Sequence, residues 1–190
     1  MAVSSLDRVR EDVPLTVEWR AFELRPEGKS GMTPEQEARY RQMIEHHWPR
    51  TIEMGRLYGV EMRTHRWGIN TRPAHEGGKF ARAHGKGEAY DRAVFHAYFV
   101  DDRDIGDVDV LTEIAASVGL DADAFREALE THRYLDEVLA DEAWAAQAGI
   151  HGVPAFLFAG RYLLSGVRPP EELRMAIEQV QHLLARETQE

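Results

Sequence analysis

The residues able to do chemistry are easily surveyed, because one class is missing. The 190-residue chain holds nine histidines and no cysteine. Without a thiol these residues form no disulfide, no thiolate metal site, no iron–sulfur cluster and no cysteine nucleophile. The histidines do not assemble into a ligand pattern. His46 and His47 are adjacent and on a helix would project about 100° apart, and no His-Glu-x-x-His occurs. His96 with Asp101 and Asp102 is a conceivable trio, but Asp101-Asp102-Arg103-Asp104 reads as a solvated loop, so no metal is expected. Gly85-Lys86-Gly87 is a turn and lacks the spacing of a phosphate loop. Ser4 and Ser5 read as ordinary positions within a helix. Two further places remain. Asn70, five residues before His75, either caps a helix or faces a groove, since asparagine is a favoured capping residue. Val153-Pro154 precedes an apolar run, and only about 5–6% of X–Pro bonds are cis.

These residues must be positioned by elements that the periodicity outlines. Val3, Leu6 and Val9 place residues 3–13 on a helix that Pro14 closes. Leu15, Val17, Trp19 and Ala21 alternate with polar residues, the signature of a strand with one wet face. Residues 25–31, including Gly28 and Lys29, read as a loop. Thr33-Pro34-Glu35-Gln36 carries a capping residue, proline in the first turn and a glutamine three residues after the cap. The helix it opens should reach about Tyr58, with a kink or a break at Pro49. Helices follow over 71–83, 88–99, 108–118, 121–129 and 134–147, with Gly119 and Gly149 at expected C-terminal caps. Phe95, Tyr98 and Phe99, at i, i+3 and i+4, are expected in the core of this helical region. Val153 to Phe158 and Tyr162 to Leu164 read as a hairpin buried on both faces. An amphipathic helix over 171–186 ends the chain.

Composition bounds the rest. A formal net charge of −10 argues against nucleic-acid and anionic-membrane partners. Only Lys29, Lys79 and Lys86 are lysines, and the arginines are scattered. The apolar content of 43% suits a soluble domain, and no run approaches the ~20 apolar residues of a membrane span. The first residues lack a signal-peptide pattern, so a cytoplasmic location is the default expectation.

Four stretches in register resemble one family. They are Trp19-Arg20-Ala21-Phe22-Glu23-Leu24-Arg25-Pro26; Asn70-Thr71-Arg72-Pro73-Ala74-His75; Ala97-Tyr98-Phe99 followed by Asp104-Ile105-Gly106-Asp107; and Gly149-Ile150-His151-Gly152-Val153-Pro154-Ala155-Phe156 with Gly160-Arg161-Tyr162 and Ser165-Gly166-Val167-Arg168-Pro169-Pro170-Glu171. Together they resemble the DsbA-like thioredoxin-fold proteins, in particular the FrnE-like branch, whose relatives include 2-hydroxychromene-2-carboxylate isomerases and kappa-class glutathione transferases. The resemblance implies an α/β fold: a thioredoxin-like core from residues 1–30 and 149–190, interrupted by a helical insertion over 31–148. It implies a cis bond at Val153–Pro154 and a substrate groove formed by Val153, Pro154, Asn70 and His75. It implies protein dithiol–disulfide oxidoreductase or isomerase activity, or glutathione-dependent isomerase or transferase activity, or a non-catalytic peptide-binding module. A thiol- or disulfide-bearing protein or peptide, or glutathione, is the implied partner. No resident cofactor is expected, with glutathione the one small molecule the resemblance allows, and a homo-oligomer is compatible with the pattern.

The chain departs from the family where the family's chemistry resides. Residues 3–13 match the rear of the family's first helix, and 15–22 match its second strand. The first strand and the Cys-x-x-Cys at the head of that helix have no counterpart. No catalytic residue is therefore assigned, because exchange needs a thiolate that serine, threonine and methionine cannot replace. In the family core the first strand lies between the second strand and the hairpin, so its loss should leave unpaired backbone beside an apolar face. The expectation is that residues upstream of Met1, or another chain, fill that place.

Overall fold

The computed structural model describes residues 1–26, 31–63 and 67–187; the expected loop at Gly28 and Lys29 lies outside them. Eight helices and one hairpin are found among these residues: α1 Ala2–Arg10, α2 Pro34–Leu57, α3 Arg72–Ala83, α4 Gly87–Phe99, α5 Val108–Ser117, α6 Ala122–Glu130, α7 Leu135–Gln147, β1 Ala155–Phe158, β2 Tyr162–Ser165 and α8 Pro170–Glu187.

Two apolar clusters organise them. The larger gathers Phe80, Tyr90, Val94, Leu111, Ile114, Phe125 and Leu129 from α3 to α6. Its tightest point is set by Gly77 on α3. A Cβ there would stand 2.7 Å from Phe125 Cζ and overlap the Tyr90 hydroxyl, so only glycine lets α4 and α6 bring their rings onto α3. Asp107 and Asp121 cap α5 and α6 by accepting the amides of Asp109 and Ala124 at 2.8 and 2.9 Å. Phe95 does not join this cluster: it is exposed, and α4 buries Tyr90, Val94 and Ala97 instead. The apolar face of that helix is set by residues 90, 94 and 97, and residue 95 lies off it.

The smaller cluster packs Leu6 and Val9 of α1 on Leu173 and Ile177 of α8. The Ser5 hydroxyl, itself buried, donates to the Arg168 carbonyl at 2.6 Å and ties α1 to the chain that leads into α8. Val13, Leu15, Val17 and Trp19 pack on the same cluster from one side, with Phe156, Phe158 and Leu164 of the hairpin also against it. The hairpin pairs antiparallel, Ala155 opposite Ser165 through Phe158 opposite Tyr162. It is not buried on both faces: β2 alternates between half-buried and exposed positions, and Leu163 is exposed. The hairpin covers a small cluster on one side only, which leaves its other face in water.

Residues 15–24 are extended and alternate in burial as their pattern requires, but they are not a paired strand. Among the described residues no backbone–backbone hydrogen bond involves residues 14–24, and the one sheet is the two-stranded hairpin. The apolar side chains reach the core without a neighbouring strand to complete the ladder. Helix α2 also differs from expectation, running through Pro49 unbroken. Proline removes one amide donor there, and the helix is held on both sides of it by a capping box at Thr33 and by contacts to the chain that follows. Trp48 Nε1 donates to the Arg63 carbonyl at 2.6 Å, Trp67 Nε1 donates to Glu37 at 2.8 Å, and Gly55 lets Val60 close over the helix end.

Candidate functional site

The first candidate place is the turn into β1. Helix α7 ends at Gly149 in the left-handed region, φ +70°, and the Ile150 amide returns to the Ala145 carbonyl at 2.9 Å. The chain then leaves the helix cleanly and reaches Val153–Pro154, whose peptide bond is cis. The Pro154 carbonyl accepts the Gly166 amide at 2.8 Å, which ties the turn to the end of β2. Val153 is 47% exposed, and no hydrogen bond of its backbone is found among the described residues. An extended chain passing beside Val153 could therefore pair with it by backbone hydrogen bonds.

The second place is a buried polar network that holds residues 20–23. Ala21 and Glu23, two residues apart on an extended chain, present their amides on the same edge. Consecutive carboxylates of α7 take them: Asp141 accepts the Ala21 amide at 2.8 Å and Glu142 the Glu23 amide at 3.2 Å. Asp141 is buried and also accepts Arg20 Nη1 at 3.0 Å and Lys79 Nζ at 2.5 Å. Burial works against its charge, but the Lys79 ammonium, the Ala21 amide and Arg20 prevail and hold its carboxyl below the usual range. Burial and the nearby Glu23 carboxylate push Glu142 up. Glu23, 5% exposed, is itself gripped by the Arg72 guanidinium at 3.2 and 2.9 Å. Burial lowers the pKa of His75 against the opposing pull of the Glu23 carboxylate and the Phe22 carbonyl. In effect α3 and α7 supply side chains where a paired strand would have had a ladder.

Beside this network lies a cavity of about 40 Å³ lined by Arg20, Ala21, His75, Gly78, Lys79 and Arg82 with Asp91. Arg82 Nη2 holds Asp91 at 2.5 Å, and burial raises the Asp91 carboxyl to about 6 despite that partner.

The four residues singled out in the sequence make different local contacts. Val153 and Pro154 form the turn, and His75 lines the cavity. Asn70 is exposed and accepts the Arg72 amide at 3.2 Å while Thr71 takes the cap position, so its side chain serves the start of α3. No hydrogen bond joins Asn70 or His75 to the turn among the described residues. His96 reaches Asp101 at 3.0 Å, but no group of three potential ligands is arranged for a metal among the described residues. The residues missed by sequence reasoning are Arg20, Glu23, Lys79, Asp141 and Glu142. Part of their signal was present: the adjacent acids Asp141 and Glu142 lie toward the apolar end of α7, and Glu23 falls on the dry side of an alternating segment.

A mostly helical fold around one hairpin, opened by an X–Pro turn, defines the class. The profile of the DSBA-like thioredoxin domain matches residues 1–178, and the chain belongs to that family. It is 34% identical over 171 residues to YwbO of Bacillus subtilis (strain 168), covering 87% of this chain and 82% of the relative. Among solved structures, a probable DsbA oxidoreductase of Streptomyces coelicolor superposes with a TM-score of 0.75 at 27% identity, covering 95% of this chain and 83% of that one. A 2-hydroxychromene-2-carboxylate isomerase superposes with a TM-score of 0.73 at 19% identity, covering 99% and 91%, and shares the fold. The DsbA-like thioredoxin fold of the chain is thereby established.

Proposed function

We propose that these residues form a DsbA-like binding module that receives an extended thiol- or disulfide-bearing polypeptide at the Val153–Pro154 turn and performs no thiol exchange itself. One observation carries this reading: Val153 is exposed, its backbone makes no hydrogen bond among the described residues, and it stands at the mouth of β1. The absence of cysteine excludes a dithiol step by these 190 residues. Family kinship and the Streptomyces coelicolor oxidoreductase support a disulfide-related substrate class. A cytoplasmic location fits the reading. The net charge of −10 speaks against nucleic acid as the partner, and no helix among the described residues is long and apolar enough to cross a membrane.

The second reading is glutathione binding with isomerase or transferase chemistry. It is favoured by the whole-chain superposition on the 2-hydroxychromene-2-carboxylate isomerase. Insulin reduction with dithiothreitol and calorimetric titration with reduced glutathione separate the two. The first reading expects no acceleration of insulin reduction and no heat of glutathione binding. It also expects shifts of the Val153 and Gly166 amide resonances with an extended, S-methylated peptide. Val153→Glu should weaken that binding at least about fivefold without unfolding, because an anchor at such a site contributes 1 kcal/mol or more. Saturable glutathione binding in place of peptide binding would favour the second reading.

A further inference from the structure

We propose that the cavity between residues 20–21 and α3 is a binding site for a small inorganic monovalent anion, chloride in ordinary solution. Its lining brings three cationic side chains, Arg20, Lys79 and Arg82, against the single lining carboxylate of Asp91. Asp141 behind the cavity offsets one further charge, and Glu18, on the far side of Arg20, is 72% exposed and largely solvated. Arg20 pairs with Glu18 and Asp141, Lys79 with Asp141 and Arg82 with Asp91, so the largely buried carboxylates number two against three cations.

Donors also outnumber acceptors. The Lys79 ammonium, 14% exposed, has three N–H groups, and Asp141 is its one partner among the described residues. Arg82 spends Nη2 on Asp91, while Nη1 and Nε have no partner among the described residues. Arg82 Nη1 lies over Gly78, where a Cβ would stand 2.8 Å from it, so the missing side chain keeps that corner open. Charged donors left over from these ion pairs, in a pocket only partly open to solvent, favour an anion over neutral water. Size selects among anions. About 40 Å³ is room for roughly three waters at ~10–15 Å³ each, which admits a halide and excludes an organic acid.

The test uses the whole chain. Thermal unfolding is followed while chloride replaces gluconate at constant ionic strength, and crystals grown in bromide are examined for anomalous signal. The expected result is a saturable rise of the midpoint, about 3 °C when chloride is about tenfold above its dissociation constant, and a bromide peak within hydrogen-bond reach of Lys79 Nζ and Arg82 Nη1. Arg82→Gln should raise the half-saturating chloride concentration at least about tenfold, the loss expected for one charged hydrogen bond. Equal midpoints in chloride and gluconate, a cavity without anomalous signal, or an Arg82→Gln protein with an unchanged chloride response would each overturn the proposal. The bromide result on the unmodified chain stands whether or not the variant folds.

Discussion

Asp91 is the residue whose environment is most at odds with its chemistry. Burial raises its carboxyl to about 6 from an ordinary 3.8, although Arg82 lies 2.5 Å away. An acid with a raised pKa favours the fold while it is protonated. The contribution is full below about pH 3.8 and is lost as pH rises through about 6. Asp91→Asn removes the titration. Relative to wild type, the variant should therefore gain on the order of 2 kcal/mol of unfolding free energy between pH 4 and pH 7, measured by urea denaturation at both values. No such relative gain would show that Arg82 compensates the burial fully. His75 behaves in the opposite sense. Its pKa is lowered by burial, so its share of stability is present above the ordinary value of 6.5 and is lost as pH falls through the folded value.

At the level of elements, residues 15–24 have an unusual status: strand-like in pattern and burial, yet without a ladder. Val13, Leu15, Val17 and Trp19 anchor the segment through side chains, and the Ala21 and Glu23 amides are satisfied by α7. Among the described residues the amides of 16–20 have no partner of this kind. Hydrogen exchange should therefore be fast over 16–20, protected at 21 and 23, and slowest in α3 and α5, which pack in the larger cluster. Uniform protection from 15 to 24 would mean that the backbone finds partners the isolated chain does not show. Helix α2 is the other element with little burial. Over 24 residues it buries only Gly55, so its order rests on its capping box, on the Trp48 bond to the Arg63 carbonyl and on the packing of Trp67 against Tyr40.

Across the molecule, the two apolar clusters are connected by charge as well as by chain. Asp141 accepts from Lys79 on α3 and from Arg20 and Ala21 on the extended segment, so α7 fastens both neighbours at one carboxylate. Asp141→Ala leaves the Lys79 ammonium buried without its partner and should cost about 3–5 kcal/mol. Its lowered pKa gives the pH signature. The stability it contributes is present above the ordinary value of 3.8 and is lost as pH falls through the folded value, so the wild-type advantage over the variant should shrink in strong acid. Chemical denaturation across that range checks both statements. A loss under about 1 kcal/mol at neutral pH would place the connection elsewhere.

What the sequence determined alone was local or compositional. Capping residues, glycines past helix ends and the 3.6-residue period placed every helix within a few positions, because those signals act over one turn. The count of zero cysteines means that these 190 residues supply no thiolate of their own. The family was legible from stretches kept in register along the chain. What only the tertiary structure decided depends on which atoms meet across long separations. Residues 15–24 carry a flawless alternation, yet a ladder needs a second strand, and periodicity within one segment cannot say whether one is there. Phe95 shares a helix with core residues, but its azimuth was set by where α3 and α6 lie. Asp141 and Ala21, 120 residues apart, meet because α7 packs on α3, and nothing near either residue announces the other. The opposed titrations of Asp91 and Asp141 follow from the same cause, since the balance between burial and a cation's distance exists only once the chain has folded.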